Sequence, residues 1–163
     1  IIMMKRIDAI LAHPLYVANQ EKIEKLEENR IFCRHGMNHS LDVARILYIK
    51  VLERQLTISK DILYATALLH DIGRAVEYES GIVHHEAGIH IALQILEDCG
   101  YDEEEKNRIL LAIQNHKEQD LEQSDILCKL LYEADKQSRD CYHCQAVDSC
   151  YWSEDKKNKT ILY

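Results

Sequence analysis

The sequence predicts an all-α fold of about six or seven helices with an irregular, cysteine-containing C-terminal tail. Only 5 Gly and 1 Pro occur among the 163 residues, and sheet-rich folds need more turn residues than that. Apolar residues also recur at helical spacing along most of the chain. A chain of this length is expected to form a single domain over residues 1–163, with the tail at 138–163.

The N-terminal part predicts three helices. The first covers residues 4–12, and the second runs from Pro14, which suits a first helical turn, to about Arg30. Alternating charges from Glu21 to Glu28 indicate a solvated face. Gly36 marks a break, and a helix with a wide apolar face follows over 38–55.

The most apolar predicted helix covers residues 60–71. Ser59 is a good N-cap for it, and the run from Ile62 to Leu69 predicts a buried central helix. Residues 74–82 are expected to form a loop. The remaining helices are expected over 84–98, over 102–116 and, after a cap at Ser124 or Asp125, to about residue 138.

Composition excludes some partners. The formal charge of −8 argues against binding along extended DNA or RNA, which requires a basic face. Binding of a small anionic ligand is still compatible with this negative net charge, because bound cations can dominate the electrostatic field in a pocket. The chain shows no signal-peptide pattern and no apolar stretch of roughly 18 residues. We therefore expect a cytoplasmic protein without a membrane partner. The sequence is compatible with a homo-oligomer and does not decide the oligomeric state.

Histidines and aspartates mark the ends of several predicted helices. His70 and Asp71 close the apolar helix, where a buried carboxylate is costly unless it is paired or metal-bound. A helix-terminal histidine followed by a turn-capping aspartate is the alternative interpretation. His39, His84, His116 and Asp135 occupy comparable positions, and the ends of bundled helices can converge on one pocket.

These residues stand in five short segments: HSLDVA from His39, LLHDIGR with His70 and Asp71, HHEAG from His84, IQNHK with His116, and YEADK with Asp135. In this order the segments resemble the HD superfamily of metal-dependent phosphohydrolases, whose basic signature is H…HD…D. The resemblance covers about residues 33–137, which would form the core of an HD-domain helical bundle.

The resemblance implies a set of metal ligands. The first metal site corresponds to His39, His70, Asp71 and Asp135. In members with two metals, two further histidines match His84 and His116, and Asp71 would bridge the ions. His85 competes with His84 for that role. Imidazole and carboxylate donors suit Fe, Mn, Zn, Ni or Co.

The implied activity is hydrolysis of a nucleotide or another small phosphoester by a metal-activated water. Asp71 and Lys136 are the candidate catalytic residues, and Arg74, Lys117 and Arg34 are candidates for binding the substrate, although each cation could equally lie on the surface. Two alternatives remain: a di-iron HD-type oxygenase, or a non-enzymatic HD protein that senses metal or redox state.

Residues beside the ligands could orient them. Asp42 and Glu86 stand within one helical turn of candidate histidines. Carboxylates at such positions can hold an imidazole by a hydrogen bond to its second nitrogen.

The tail carries a separate pattern. Cys141, Cys144 and Cys150 occur within ten residues, which suits a thiolate site for zinc or an iron–sulfur cluster. Cys33 is the candidate fourth ligand, and His143 is an alternative. Three reduced cysteines in a packed tail are the other interpretation, since disulfides are rare in the cytosol.

Overall fold

The structure is a computed structural model that describes residues 4–117 and 124–163. These residues form eight α-helices and two short 3₁₀ helices and contain no strand, which confirms the all-α prediction. The α-helices are α1 (Lys5–Ala12), α2 (Pro14–Leu26), α3 (Met37–Glu53), α4 (Lys60–Leu69), α5 (Arg74–Ser80), α6 (His84–Asp98), α7 (Glu103–Asn115) and α8 (Ile126–Gln137).

Helix α4 is the central element. Its residues Leu63 and Ala67 belong to a core shared with α3 and α8. On its other side, Ala65, Leu68 and Leu69 pack with α1, α6 and α7. Burying each of these leucines contributes roughly 2 kcal/mol. Because α4 is enclosed by apolar contacts, its C-terminal end delivers His70 and Asp71 to the interior.

Four predicted helix starts are confirmed by their caps. Pro14 is the first residue of α2. The side chains of Ser59, Asp102 and Asp125 accept hydrogen bonds from the first backbone N–H groups of α4, α7 and α8. Such bonds satisfy donors that the helix itself leaves unpaired.

Two predictions about the N-terminal half were wrong. Residues 74–82 do not form a loop throughout, because α5 occupies Arg74–Ser80 before Gly81 turns with φ of 77°. Helix α5 has 7 residues, of which Ala75 is buried. It is therefore too short to show the apolar periodicity from which a helix is predicted. Glu27 is not solvated either: it is 2 % exposed and accepts a hydrogen bond from Tyr78 Oη.

The tail is irregular, as predicted, apart from the 3₁₀ helices Cys141–His143 and Val147–Ser149. Asn158 Nδ2 donates to the carbonyl oxygens of Lys136 and Arg139, at 2.7 and 2.8 Å. These bonds hold the tail against the C-terminal end of α8. None of the helices in the described ranges is both long and apolar enough to cross a bilayer.

Candidate metal centre

Four buried side chains from three helix ends form a first group of potential metal ligands. His39 lies in the first turn of α3, His70 caps α4, Asp71 follows it, and Asp135 lies in the last turn of α8. One donor atom from each lies within 4.8 Å of the others. The structure therefore brings together the four residues that sequence reasoning assigned to the first metal site.

A second group shares Asp71 with the first. It adds His84, the first residue of α6, and His116, the C-cap of α7, again within 4.8 Å. Asp71 Oδ2 lies 3.0 Å from His70 Nε2, whereas Asp71 Oδ1 lies 3.4 Å from His84 Nε2. The carboxylate thus presents one oxygen to each group. His85, the competing candidate, belongs to neither group.

Gly73 allows the two groups to meet. A Cβ at this position would lie 2.2 Å from the carbonyl oxygen of His84 and 2.5 Å from the backbone nitrogen of Gly88. Backbone atoms cannot move aside as a flexible side chain can. Only glycine therefore lets the turn after Asp71 pack directly against the first turns of α6, where His84 begins.

Each of the four histidines is held through its Nδ1 atom. The partners are Ser138 Oγ for His39 (3.3 Å), the Ala67 carbonyl for His70 (2.6 Å), Glu77 Oε2 for His84 (2.8 Å) and the Ile113 carbonyl for His116 (2.5 Å). Carbonyl and carboxylate oxygens only accept, and the Ser138 hydroxyl itself donates to the Asp135 carbonyl. The Nδ1 atoms therefore carry the protons, and the Nε2 atoms face the cluster.

Sequence reasoning placed the orienting carboxylates wrongly. Asp42 is exposed and lies 3.6 Å from Arg45, and Glu86 is exposed at the start of α6. The side chains that hold the histidine Nδ1 atoms are those of Glu77 and Ser138, and sequence reasoning missed both. Glu77 lies in the segment expected to be a loop. Ser138, three positions after Asp135, could have been found from helical spacing.

The second group fits a cation because two imidazole lone pairs oppose each other. His84 Nε2 and His116 Nε2 lie 3.2 Å apart, and their Nδ1 atoms hold the protons. Burial and the nearby positive charge of Arg74 lower the pKa of His84 to about 2. Burial and the charge of His70 lower the pKa of His116 to about 3. Neither ring is then doubly protonated at neutral pH, so a metal ion would relieve the repulsion.

The first group fits a cation as well. His70 Nε2 and Asp71 Oδ2 are buried without a hydrogen-bond partner of acceptable geometry. Burial opposes protonation of His70, yet Asp71 and Asp135 raise its pKa to about 9. Burial by itself would raise the pKa of Asp71, but the positive charges of His70 and Arg74 hold that pKa well below its usual range. The field at this point therefore favours positive charge.

A cavity of about 340 Å³ is lined by one ligand from each group, Asp135 from the first and His84 from the second. Its lining includes six cationic side chains: Arg30, Arg74, Lys117, Lys136, Arg139 and Lys156. Lys136 Nζ lies 2.8 Å and Lys117 Nζ lies 3.6 Å from Asp135 Oδ2. Arg74 Nε donates to Asp71 Oδ1 at 2.9 Å. This concentration of positive charge contrasts with the net charge of −8.

Arg139 lines this cavity, whereas the candidate Arg34 does not. Arg34 does not line this cavity, because its guanidinium donates to the carbonyls of Arg30 and Glu28 on the surface. Arg139, which sequence reasoning missed, lies within 3.1 Å of His39 Nε2 and donates to the Arg34 carbonyl. No sequence signal marked it, because it lies beyond the last motif.

The four candidate cysteines of the tail region belong to neither ligand group, although Cys33 and Cys150 also line the 340 Å³ cavity. Cys33, Cys141, Cys144 and Cys150 are half-buried and line a second cavity of about 1310 Å³. His143, the alternative ligand, is exposed and does not line that cavity.

Comparisons with known proteins agree with this geometry. The HD domain family model matches residues 36–140. A Clostridium beijerinckii protein described as uncharacterised is 39% identical over 160 residues, covering 98% of this chain and 100% of that protein. The crystal structure of a predicted HD superfamily hydrolase from an uncultured Thermotogales bacterium superimposes with a TM-score of 0.65 at 20% identity, covering 88% of this chain and 79% of that one. The chain therefore belongs to the HD-domain family.

Proposed function

We propose that this protein is a metal-dependent phosphohydrolase that cleaves a nucleotide or another small phosphoester. One observation carries the proposal: two buried ligand groups that share Asp71 each contribute a residue, Asp135 or His84, to a cavity lined by six cationic side chains. Such a cavity favours an anionic substrate that can reach the metal ligands.

The ligand chemistry suggests two ions. His39, His70, Asp71 and Asp135 would hold one, and Asp71, His84 and His116 would hold the other. Mixed imidazole and carboxylate donors suit Fe, Mn, Zn, Ni or Co. When bound, such ions supply a coordinated water that is acidic near neutral pH and neutralise phosphoryl oxygens.

The chain's own cations would position the phosphate. Arg74 is fixed by Asp71 at 2.9 Å and lies 3.6 Å from Glu77, so its guanidinium is oriented before a substrate arrives. Lys136 extends from the last turn of α8 between Asp135 and the aromatic rings of Tyr132 and Trp152. We assign it to direct contact with the phosphate, where it would neutralise charge that develops during cleavage.

Arg139 would change partners when the first ion binds. The Nε2 atom of His39 has one lone pair, which now faces the Arg139 guanidinium at 3.1 Å. That contact and a bond from His39 to a metal exclude each other. Arg139 would then turn to the cavity that it already lines and add a further donor for the phosphate.

The test is a panel of nucleotides, cyclic nucleotides and simple phosphoesters, assayed for hydrolysis with Mn, Fe, Co, Ni or Zn. Hydrolysis of at least one phosphoester is expected. The Lys136→Met variant should lose at least about tenfold in kcat/KM while keeping its metal, because a developing charge loses its partner. Lys25→Met, on the exposed face of α2, is the matched control.

Two results would contradict the proposal. Iron-specific consumption of O₂ without phosphate release would indicate the di-iron oxygenase. Saturable nucleotide binding without turnover under every metal would indicate a sensor.

A further inference from the structure

Four cysteines far apart in the sequence meet outside the metal centre described above. Cys33 lies between α2 and α3, whereas Cys141, Cys144 and Cys150 belong to the tail. All four line the 1310 Å³ cavity. The thiol of Cys33 also interacts electrostatically with each of the other three. The fold therefore places Cys33 among the tail cysteines.

Local structure holds these cysteines in place. Cys141 and Cys144 enclose one 3₁₀ turn, in which Cys144 N donates to the Cys141 carbonyl at 3.3 Å. Cys150 follows the second 3₁₀ turn. Arg30 Nε donates to the Cys33 carbonyl at 2.8 Å. Each cysteine therefore lies in a short segment whose backbone is already constrained.

Neighbouring aromatic residues join the two parts of this cluster. Phe32 and Tyr151, adjacent in sequence to Cys33 and Cys150, form an edge-to-face pair with ring centroids 6.4 Å apart. Such pairs stabilise a contact by about 1 kcal/mol beyond the area that they bury. This contact keeps the segment before α3 against the tail.

The surroundings suit thiolate ligands. All four thiols are free and half-buried, so they neither form disulfides nor fill the apolar core. Burial raises the pKa of the Cys33 thiol, and the positive charge of Arg139 opposes that rise by favouring the deprotonated form that binds metal.

The spacing of the sulfur atoms distinguishes between two kinds of centre. A tetrahedral zinc ion with Zn–S bonds of about 2.3 Å requires sulfurs about 3.8 Å apart. No three of these four thiols, all within the described residues, lie within 4.8 Å of one another. An iron–sulfur cluster is larger, and each of its four thiolates binds a different iron. We propose that Cys33, Cys141, Cys144 and Cys150 ligate a [4Fe–4S] cluster.

Such a cluster would affect the proposed substrate cavity. Cys150 and Trp152 line both cavities, and Arg139 lies next to both Cys33 and His39. A cluster would hold this shared wall in position beside the metal ligands.

The test counts iron, acid-labile sulfide and zinc in protein purified without oxygen. Sulfide is the diagnostic quantity, because the histidine–aspartate ligands could hold iron but not sulfide. We expect about four sulfides per chain and visible absorption in the wild type, with both lost in Cys141→Ser. Cys99→Ser, which alters the half-buried cysteine at the C-terminal end of α6, should retain the sulfide and the visible absorption. Asp71→Ala should retain the sulfide even where it loses other metal.

Native mass spectrometry of the wild type measures the bound cluster directly and does not depend on how the variants fold. A mass increase equal to four irons and four sulfides supports the proposal. Zinc in place of sulfide, a disulfide within the tail, or sulfide retained in Cys141→Ser would overturn it.

Discussion

The histidine–aspartate groups and the tail cysteines are built in different ways. The histidines and aspartates lie at helix ends, are buried, and the Nδ1 atom of each histidine is already held by a partner. The cysteines lie in loops and at short 3₁₀ turns, and they are half-buried. Helix packing therefore holds the first site, whereas short turns, a hydrogen bond from Arg30 and the Phe32–Tyr151 contact hold the second, and a bound ligand would add to them.

This difference predicts different responses to metal loss. Helical packing should persist when the histidine–aspartate groups are empty, because α4 is enclosed by core contacts on both sides. The tail should loosen when its cysteines lose a ligand, since binding energy and local folding are coupled in such segments.

The largest effect is expected from Gly73→Ala. The added methyl group would clash with the backbone of His84 and Gly88, so α6 must move away from Asp71 at a cost of about 3 kcal/mol or more. Chemical denaturation should show this loss. Gly36→Ala is the control, because its Cβ would meet only Glu24 at 3.4 Å. Equal stability of the two variants would show that the close approach is not required.

Acid should destabilise the metal-depleted protein between pH 6.5 and about 4. Burial lowers the pKa of His35 to about 4, and the pKa values of His84 and His116 lie lower still. In the unfolded chain these rings take up protons near pH 6.5, so unfolding is favoured as the pH falls. The raised pKa of His70 adds no slope here, because its contribution is lost only as the pH rises towards 9.

Thermal unfolding after chelation measures this effect. The expected loss is on the order of 1 kcal/mol per pH unit for each histidine. His84→Gln should flatten the profile, and the exposed His90→Gln should leave it unchanged. A flat wild-type profile would contradict the assigned protonation states.

A smaller and more selective effect is expected from Glu77→Ala. This change removes the acceptor that holds His84 Nδ1 at 2.8 Å, and the loss of such partners weakens metal affinity about 10–100-fold. Titration with metal should show one weakened ion and one unchanged. Glu77→Gln should rescue most of the affinity, and Glu79→Ala, exposed on the same helix, should have no effect. Equal weakening of both ions would disprove the separation into two groups.

The smallest effect is expected from Asn158→Ala, which removes two hydrogen bonds between the tail and the end of α8. Loss of about 1–2 kcal/mol should stay local. Hydrogen exchange should rise in residues 140–163 and remain unchanged in α4. Asn19→Ala removes an exposed hydrogen bond to the Leu15 carbonyl within α2 and is the control. Faster exchange throughout the helices would show that the tail is not a separate region.

Sequence reasoning recovered the fold class because apolar spacing and caps such as Ser59 and Asp125 act locally. It also selected the six residues that the structure gathers into two groups. It missed α5 and its Glu77 because a short helix carries little periodicity. It missed Arg139 and did not predict that Arg34 turns away from the 340 Å³ cavity, because the direction of a long side chain depends on tertiary contacts.

Metal counting tests the central claim, two ligand groups sharing Asp71, most directly. Protein treated with chelator is reconstituted with Mn²⁺, which prefers nitrogen and oxygen ligands to thiolates. We expect about two ions per chain in the wild type, one in His84→Ala and none in Asp71→Ala, with helical content preserved. Asp42→Asn, at an exposed position on α3, should bind two. Full occupancy in Asp71→Ala would contradict the account.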